Sequence, residues 1–339
     1  RVASAEVSHF AMYVRQRAQE EGNVSRFGTL ENVIVPASVR RIEARPYVLS
    51  SLHRGPSEDG DPFFDGTATG ARIGSDFRLG IGSAYTLDAT INPDFGQVEA
   101  DPAVINLTAF ETFFPEQRPF FVEDARIFDF GLSGGRNSLF YSRRIGRSPQ
   151  GKAPFETEFE DVPTNATILG AAKLAGRTSG GLSVGALAAV TGDEFGRGWP
   201  LGGAQDDFLV EPESRFGVFS LAQDMNDGMT QVRGIATAMS RNLPSDGSFD
   251  WLPSSAYSTG LRFEHQWDDR TWALYGFFAG SHARGTKVAM ERIQTSSTHY
   301  LQRPDATRFA VDPDATSLSG RDWRLQFEKR GGEHWTGAI

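Results

Sequence analysis

The sequence predicts an all-β protein: an antiparallel transmembrane β-barrel, or the amino-terminal portion of one, with an inward-folded plug-like loop. Apolar and polar residues alternate with a period of two over many segments, as in strands with one apolar and one wet face. These segments run for about 10–14 residues, whereas a tilted membrane strand needs about 9–11 and most strands in globular proteins have about 5–6. Short turns alternate with long polar stretches, which is typical of outer-membrane barrels.

The composition excludes several classes of function. The 339 residues include 34 basic and 43 acidic side chains, a formal net charge of −9, and no cysteine. A nucleic-acid partner is therefore not expected, because its phosphates would be repelled. Disulfides, cysteine nucleophiles and cysteine-ligated metals are excluded. The chain begins without a methionine and ends in a strand-like pattern, so we expect a piece of a longer protein, truncated at both ends.

Residues 1–90 are predicted to form the first barrel strands and hairpins. Segment 8–22 alternates Phe10, Met12 and Val14 with polar residues; this pattern favours a strand, with an amphipathic helix as the alternative. Segments 75–83 and 84–92 each place apolar residues on one face and read as two further strands.

Residues 138–339 are predicted to form further hairpins with long polar loops. In segment 257–268 every second residue is apolar, aromatic, Thr or His, and the residues between are polar or Gly. Three tight connections predict hairpins. They are Ser179-Gly180-Gly181, Asn226-Asp227-Gly228 and Asp268-Asp269-Arg270. The long polar stretches are about 193–213, 243–253 and 285–316.

The middle region, residues 91–137, is predicted to be a plug or constriction. Asn92-Pro93 and Asp101-Pro102 break a regular strand, because proline removes a ladder donor and restricts the residue before it. The chain then folds inward, where rings pack together and Arg118 pairs with a carboxylate. The candidate plug residues are Phe110, Glu111, Phe113, Phe114, Glu116, Arg118, Phe120, Phe121 and Glu123.

Other interpretations of this region stay open. The rings also fit a hydrophobic anchor at the barrel rim with no transport role, and Glu111 with Glu123 is one candidate carboxylate pair for glycosidase chemistry. Asp94, Glu99 and Asp101 are oxygen ligands of the kind that calcium prefers, although the calcium-loop motif is absent. No cofactor and no catalytic residue are predicted.

A basic cluster follows the middle region. Arg143, Arg144 and Arg147 are predicted on a short strand and turn within 140–147. We expect them to line the lumen beside acidic residues; the alternative is contact with lipid phosphates.

Three motifs in this order resemble the DUF5916 family of bacterial proteins. They are "SRFGTLENVIVPASVRRIEARPYV" (25–48), "YTLDATINPDFGQVEADPAVINLTAFETFFPEQRPFFVEDARIF" (85–128) and "LFYSRRIGRSP" (139–149). The resemblance implies the start of an outer-membrane barrel region that usually follows a domain similar to carbohydrate-binding family 9, which is missing from this chain.

The expected function is a gated channel or transporter, or a scaffold in an envelope complex, in the outer membrane of a Gram-negative-type bacterium. Outer-membrane lipid and other envelope proteins are the expected partners. The alternative is a cell-surface protein that binds or processes carbohydrate through the missing domain. The balance of these observations is against an enzyme.

Overall fold

The computed structural model describes residues 41–93, 113–132, 138–305, 309–332 and 334–339. Within these ranges the chain forms mostly antiparallel strands, with few and short helices. This confirms the all-β, antiparallel prediction. No helix in the described ranges is both long and apolar enough to cross a membrane.

The strands form one large and one small sheet. In chain order they are Ile42–Arg54 (β1), Thr67–Ile81 (β2), Tyr85–Ile91 (β3), Thr157–Asp161 (β4), Ile168–Arg177 (β5), Leu182–Thr191 (β6), Glu194–Pro200 (β7), Asp206–Glu211 (β8), Ser214–Met225 (β9), Thr230–Arg241 (β10), Ser255–Trp267 (β11), Trp272–Arg284 (β12), Ser317–Lys329 (β13) and Gly337–Ala338 (β14). The large sheet has the order β1-β2-β3-β5-β6-β9-β10-β11-β12-β13-β14, and β4, β7 and β8 form the small one.

The three predicted hairpins are confirmed. β5 pairs with β6, β9 with β10 and β11 with β12, each antiparallel and across the predicted connection. Asn226 and Asp227 both have φ 53°, and Gly228 has φ 80°. Asn, Asp and Gly adopt this left-handed conformation at the lowest cost, which explains why the turn forms there.

The two faces of the large sheet differ in exposure as the alternation predicts. On β11, Tyr257, Leu261 and Phe263 are 48%, 56% and 37% exposed, whereas Gly260 between them is buried. We call the face that carries Tyr257 and Leu261 the open face. The opposite face, which carries Gly260 and Arg262, is the covered face, because a second part of the chain packs on it.

The described strands of the large sheet do not close on themselves. Among the described strands, β1 and β14 are the two edges, and they do not pair with each other. Closure into a barrel therefore stays a prediction.

Two of the long polar stretches contain regular structure that the sequence did not predict. Residues 194–211 form the β7–β8 hairpin, which β4 extends into the small sheet. The stretch after β12 begins with a helix, Lys287–Thr295, whose first turn is capped by Thr286 Oγ1, which accepts from the Ala289 amide at 3.2 Å. A helix of nine residues that buries Ala289 and Met290 is too short to show a clear period in the sequence.

The middle region leaves the sheet where the sequence predicts. β3 ends at Ile91, and Asn92 follows with φ 46°. The described residues 113–132 contain one helical turn, Pro119–Val122 (α1), and a 3-10 turn, Ala125–Phe128. Together with residues 138–147 they form what we call the inner segment.

The predicted short strand within 140–147 is wrong. Ser142–Arg144 is a 3-10 turn. The Ile145 amide donates to the Ser142 carbonyl at 2.9 Å, which closes the turn. Arg118 also donates to the carbonyls of Ser142 and Ile145, through Nη2 at 2.9 Å and Nη1 at 2.6 Å, and so holds the turn in place.

Candidate functional site

The inner segment is held on the covered face by side chains of the large sheet. On β5, Lys173 is 1% exposed, and its Nζ donates to the carbonyl oxygens of Phe120 and Glu123, both at 2.7 Å. The same Nζ lies 3.9 Å from Asp88 Oδ2 on β3. A buried ammonium is stable only with such partners, because burial otherwise disfavours its charge.

Three further strands make the same kind of contact. Ser220 Oγ on β9 donates to the Ile127 carbonyl at 2.6 Å, and Arg233 Nη1 on β10 donates to the Asp129 carbonyl at 2.7 Å. Arg262 on β11 donates to the carbonyl of Gly131. In each case the acceptor is a main-chain carbonyl of the inner segment, which lies outside the two sheets. Such a carbonyl has no amide partner in a strand ladder and needs another hydrogen-bond donor.

Apolar side chains also hold the inner segment against the covered face. Phe121, Phe128, Phe130 and Ile145 of the inner segment are among the most buried side chains, at 4%, 3%, 0% and 1% exposure. They pack against apolar residues of the covered face. Those residues are Ile168, Ala171, Leu187, Ala189, Val218 and Ile235.

Two glycines on the covered face make room for side chains of the inner segment. A Cβ on Gly185 would lie 2.5 Å from Ile127 Cγ2, and one on Gly260 would lie 2.6 Å from Phe130 Cε1. Both distances are far below van der Waals contact, so a side chain at either position would displace the inner segment.

Within the inner segment the carboxylate partner of Arg118 is Glu116. Arg118 Nε donates to Glu116 Oε1 at 2.8 Å and Nη2 to Oε2 at 2.7 Å, so the pair is bidentate, and Ser142 Oγ also donates to Oε2. Burial opposes ionisation of Glu116, but the hydrogen bonds and charge of Arg118, with the Ser142 hydroxyl, outweigh it and lower the pKa of this carboxyl. The Arg118 guanidinium also lies 4.3 Å from the centroid of the Phe121 ring.

The other predicted plug residues have different surroundings. Phe113 contacts the Tyr141 ring at 5.1 Å between centroids and is 51% exposed, and the Phe114 amide donates to Tyr141 Oη at 3.1 Å. Phe120 packs on Phe121 edge to face at 5.0 Å. Glu123 is half-exposed and pairs with Arg78 of β2.

Five of the predicted site residues lie outside the described residues. They are the plug candidates Phe110 and Glu111 and the metal candidates Asp94, Glu99 and Asp101. In the part of the chain that the structure describes, no group of three or more metal-binding side chains comes together.

The basic cluster is divided between two environments. Arg143 Nη1 donates to the Pro115 carbonyl at 3.0 Å and so stays within the inner segment. Arg144 and Arg147 instead line a cavity of about 990 Å³. This cavity lies at the end of the sheet where the long loops begin, between the inner segment and the covered-face ends of β6 and β9–β13.

One wall of the cavity carries buried charge. Glu211, at the end of β8, is 4% exposed and accepts from the Gln150 amide at 3.1 Å. Burial raises the pKa of Glu211, against the opposing charges of Arg147 and Arg241 and the hydrogen bonds from Gln150. The lining of the cavity thus contains the guanidinium groups of Arg144, Arg147 and Arg241 and the carboxyl groups of Glu211 and Asp312.

Several residues that hold the inner segment were not predicted from the sequence, although some of them share a recognisable signal. Lys173, Arg233 and Arg262 are isolated basic residues in the middle of long strands, on the face opposite the apolar one. A long cation in that position needs an acceptor. No signal in the sequence identifies the acceptor, because Arg262 and Gly131 are separated by 131 residues.

The comparisons with known proteins identify a family and nothing further. A family model described as a domain of unknown function, DUF5916, matches residues 39–317. No curated protein and no solved structure matches the chain.

Proposed function

This chain belongs to the DUF5916 family, and we propose that it acts as a gated channel or transporter in a bacterial outer membrane. In this proposal the large sheet forms all or part of a β-barrel wall, and the inner segment is the gate. The observation that carries the proposal is that the apolar open face of the large sheet is the exposed one, whereas the opposite face, which carries Lys173, Arg233 and Arg262 beside apolar residues, is covered by the chain's own inner segment.

The open face carries continuous apolar rows across the strands. In one of them Trp323 is 72% exposed and Leu261 is 56% exposed. By strand register this row runs through Trp323, Phe278, Leu261, Gly234, Leu221, Val184, Gly176, Tyr85 and Ile81. Nine strands span about 38 Å at the usual spacing. Water-soluble monomers seldom expose apolar patches larger than a few hundred Å², so such a row supports contact with lipid.

The neighbouring row on the covered face has the opposite character. It runs through Arg324, Phe277, Arg262, Arg233, Ala222, Ser183 and Arg177. Four arginines in one row are expensive in contact with hydrocarbon and favourable in a water-filled interior. The contrast between adjacent rows is the one expected of a barrel wall.

Aromatic side chains cluster at the short-turn end of the open face. The Trp272 ring lies 5.3 Å from the Phe327 ring and 6.1 Å from the Trp335 ring, and Lys329 Nζ lies 3.9 Å from the Trp335 centroid. Tryptophan and lysine together are typical of the membrane–water interface, where an apolar ring and a polar tip are both satisfied. This cluster supports a membrane boundary near the short turns.

The alternative carbohydrate function predicts exposed rings in a groove. Trp323 and Tyr257 are exposed, but they lie on the open face of regular strands, and the strand-register neighbour of Trp323 is Phe278. Apolar neighbours leave sugar hydroxyls without partners. These surroundings favour lipid over sugar.

Lipid contact is tested by fluorescence quenching. Two variants each keep one tryptophan and replace the other five by Phe: the first keeps Trp323, and the control keeps Trp251, which lies in a polar loop on a turn after β10. In vesicles with brominated acyl chains we expect quenching of Trp323 and little quenching of Trp251. Equal quenching of both by an aqueous quencher, with none by bromine, contradicts the membrane assignment.

Gating is tested by conductance in planar bilayers. The variant Lys173→Met/Arg262→Met removes donors that hold the inner segment, and Arg215→Met on β9, whose side chain is exposed beside Glu213, is the control. We expect low conductance for the wild type and the control, and a higher open probability for the double variant. High conductance that is the same in all three contradicts the gate, and absence of conductance in all three favours the scaffold role.

A further inference from the structure

The open face changes from apolar to basic towards the long-loop end of the sheet. Arg321 lies two residues before Trp323 on the same face of β13, and His282 and Arg284 lie on the open face of β12. By strand register these three side chains belong to three successive rows, with Arg321 next to the apolar row of Trp323 and Arg284 at the strand end. We call Arg284, Arg321 and His282 the basic patch.

The three rows carry no carboxylate in the described strands from β13 across to β5. Their charged members are Arg321, Arg284 and Arg215, and every other position except His282 is glycine, alanine, serine, threonine or an apolar or aromatic residue. This part of the open face therefore has a positive potential, which attracts anions.

Two of the three arginines have no acidic partner. Arg215 pairs with Glu213 at 2.7 Å, in the connection before β9. Arg284 and Arg321 are exposed, and neither forms an ion pair within the described ranges of the chain. Their charge is thus available to a ligand.

The carboxylates close in sequence do not compensate this charge. Asp322 follows Arg321, but its side chain lies on the opposite face of β13, because successive side chains of a strand alternate. Asp314 pairs with Lys287 at 2.6 Å. Asp312 lines the cavity described above, and its carboxylate accepts from the Asp314 amide at 3.0 Å.

His282 orients Arg284. Arg284 Nε donates to His282 Nε2 at 3.0 Å, and His282 Nδ1 lies 2.8 Å from Ser319 Oγ. Because Nε2 accepts, the ring is neutral, and its proton is on Nδ1, which donates to Ser319 Oγ. The two Nη groups of Arg284 are left to bind a ligand, and a guanidinium group binds phosphate oxygens well through such a pair of donors.

The surroundings of the basic patch fit a membrane–water interface. At the usual rise and strand spacing, the Cα atoms of Arg284 and Arg321 are about 14 Å apart, with His282 between them. Tyr257 is the register partner of His282, and Trp323 lies in the next row below Arg321. Long basic side chains at such a boundary keep their stems on apolar surface and their charges in water, beside tryptophan and tyrosine.

We infer that the basic patch binds the headgroup of an anionic phospholipid. The phosphate lies against the guanidinium groups of Arg284 and Arg321, and the acyl chains extend along the apolar rows of the open face. The inference names a lipid partner of this face and so rests on the proposed membrane contact. A free phosphate ion would use the arginines alone, and a zwitterionic headgroup would gain less from their charge because it has no net charge.

Binding is tested with the variant that keeps Trp323 as its single tryptophan, because this ring lies beside the basic patch. The full chain is reconstituted in mixed vesicles of phosphatidylcholine and phosphatidylglycerol, in which one lipid or the other carries bromine on its acyl chains. Quenching of Trp323 then reports which lipid lies there. We expect phosphatidylglycerol to be preferred by about fivefold or more. Equal quenching by the two brominated lipids overturns the inference.

Two double variants in the same background locate the binding. Arg284→Gln/Arg321→Gln should lose the preference for phosphatidylglycerol and keep its quenching by brominated phosphatidylcholine, which shows that the lipid contact is intact. Lys152→Gln/Arg270→Gln removes the same charge at two exposed loop positions and should keep the preference. A preference that survives in the first variant, or is lost in both, overturns the inference.

Inorganic phosphate distinguishes a lipid headgroup from a free anion. Replacing chloride by phosphate at constant ionic strength should leave the preference for phosphatidylglycerol unchanged. If phosphate abolishes the preference, the ligand is the free anion, and the lipid assignment is overturned.

The same quenching data separate this inference from the proposed function. Quenching of Trp323 by neither brominated lipid refutes the membrane contact, and the inference falls with it. Equal quenching by both lipids refutes the headgroup site and leaves the membrane contact in place.

Discussion

Lys173 Nζ donates to the carbonyl oxygen of Glu123 at 2.7 Å, 50 residues away in the chain. This contact joins a strand of the large sheet to the inner segment. The same ammonium group also donates to the carbonyl oxygen of Phe120. One ammonium group thus satisfies two backbone carbonyls that have no partner in a strand ladder.

Lys173→Met is therefore expected to loosen the inner segment. The substitution leaves the carbonyls of Phe120 and Glu123 without their donor and removes the cation beside Asp88, so we expect a loss of about 3–5 kcal/mol in the free energy of unfolding. Urea unfolding in lipid vesicles measures it. Lys152→Met, at an exposed loop position, is the control and should change little; equal effects of the two variants would contradict the anchoring role.

Gly260→Ala tests the contact between the covered face and the Phe130 ring. A Cβ at Gly260 would lie 2.6 Å from Phe130 Cε1 and 2.7 Å from Leu139 Cδ1, so the inner segment must shift, at a cost of about 1–3 kcal/mol. Gly217→Ala is the matched control, because nothing lies within 4 Å of its Cβ position. The free energy of unfolding and the protease sensitivity of residues 113–132 measure the effect. If both variants behave alike, the close packing of the inner segment is refuted.

Leu261→Arg tests the lipid contact of the open face. Leu261 lies in the middle of β11, in the continuous apolar row, where an arginine at the bilayer midplane costs about 2–4 kcal/mol. His265→Arg, on the same face but near the short turn, should cost about 0–1 kcal/mol if it lies at the interface. Folding into vesicles, followed by urea titration, measures both. A Leu261→Arg variant that is as stable as His265→Arg argues against a membrane-buried row.

The Glu116–Arg118 pair predicts a stability that depends on pH. The pKa of Glu116 is lowered in the folded protein, so its contribution to stability is present above the ordinary carboxyl value of about 4.3 and is lost as the pH falls through the lowered pKa. Unfolding of the wild type and of Glu116→Gln between pH 7 and pH 2 measures this. We expect the difference between them to shrink as the pH falls; Glu58→Gln, at an exposed position, should show no such convergence.

Much of the fold could be predicted because the signals are local. The β11–β12 hairpin follows from the alternation on each side of Asp268-Asp269-Arg270, and the end of β3 follows from Asn92-Pro93. The need of Arg118 for a carboxylate also follows from residue chemistry, and its partner Glu116 is two residues away. Each of these depends on residues that are close in sequence.

The candidate site was less predictable because its contacts are distant in sequence. Ser142–Arg144 was expected in a strand, but it is a turn that Arg118, 24 residues earlier than Ser142, holds by donating to the Ser142 carbonyl. Gly185 and Gly260 carry no side chain, and the reason lies in the side chains of Ile127, Phe128 and Phe130, which fill the space above them. The cavity walls come from strands and loops between residues 139 and 320.

In a strand, successive side chains point to opposite faces, so the sequence alone identifies the apolar and the polar face of each strand. The residues of the tight turns between strands are also recognisable in the sequence. Strand order and register decide the rest. They determine which segment packs on the polar face and which carbonyl accepts a hydrogen bond from Lys173, and they bring Arg147, Glu211 and Arg241 together around one cavity. These are settled by the folded sheet, because packing brings together residues that no short-range pattern connects.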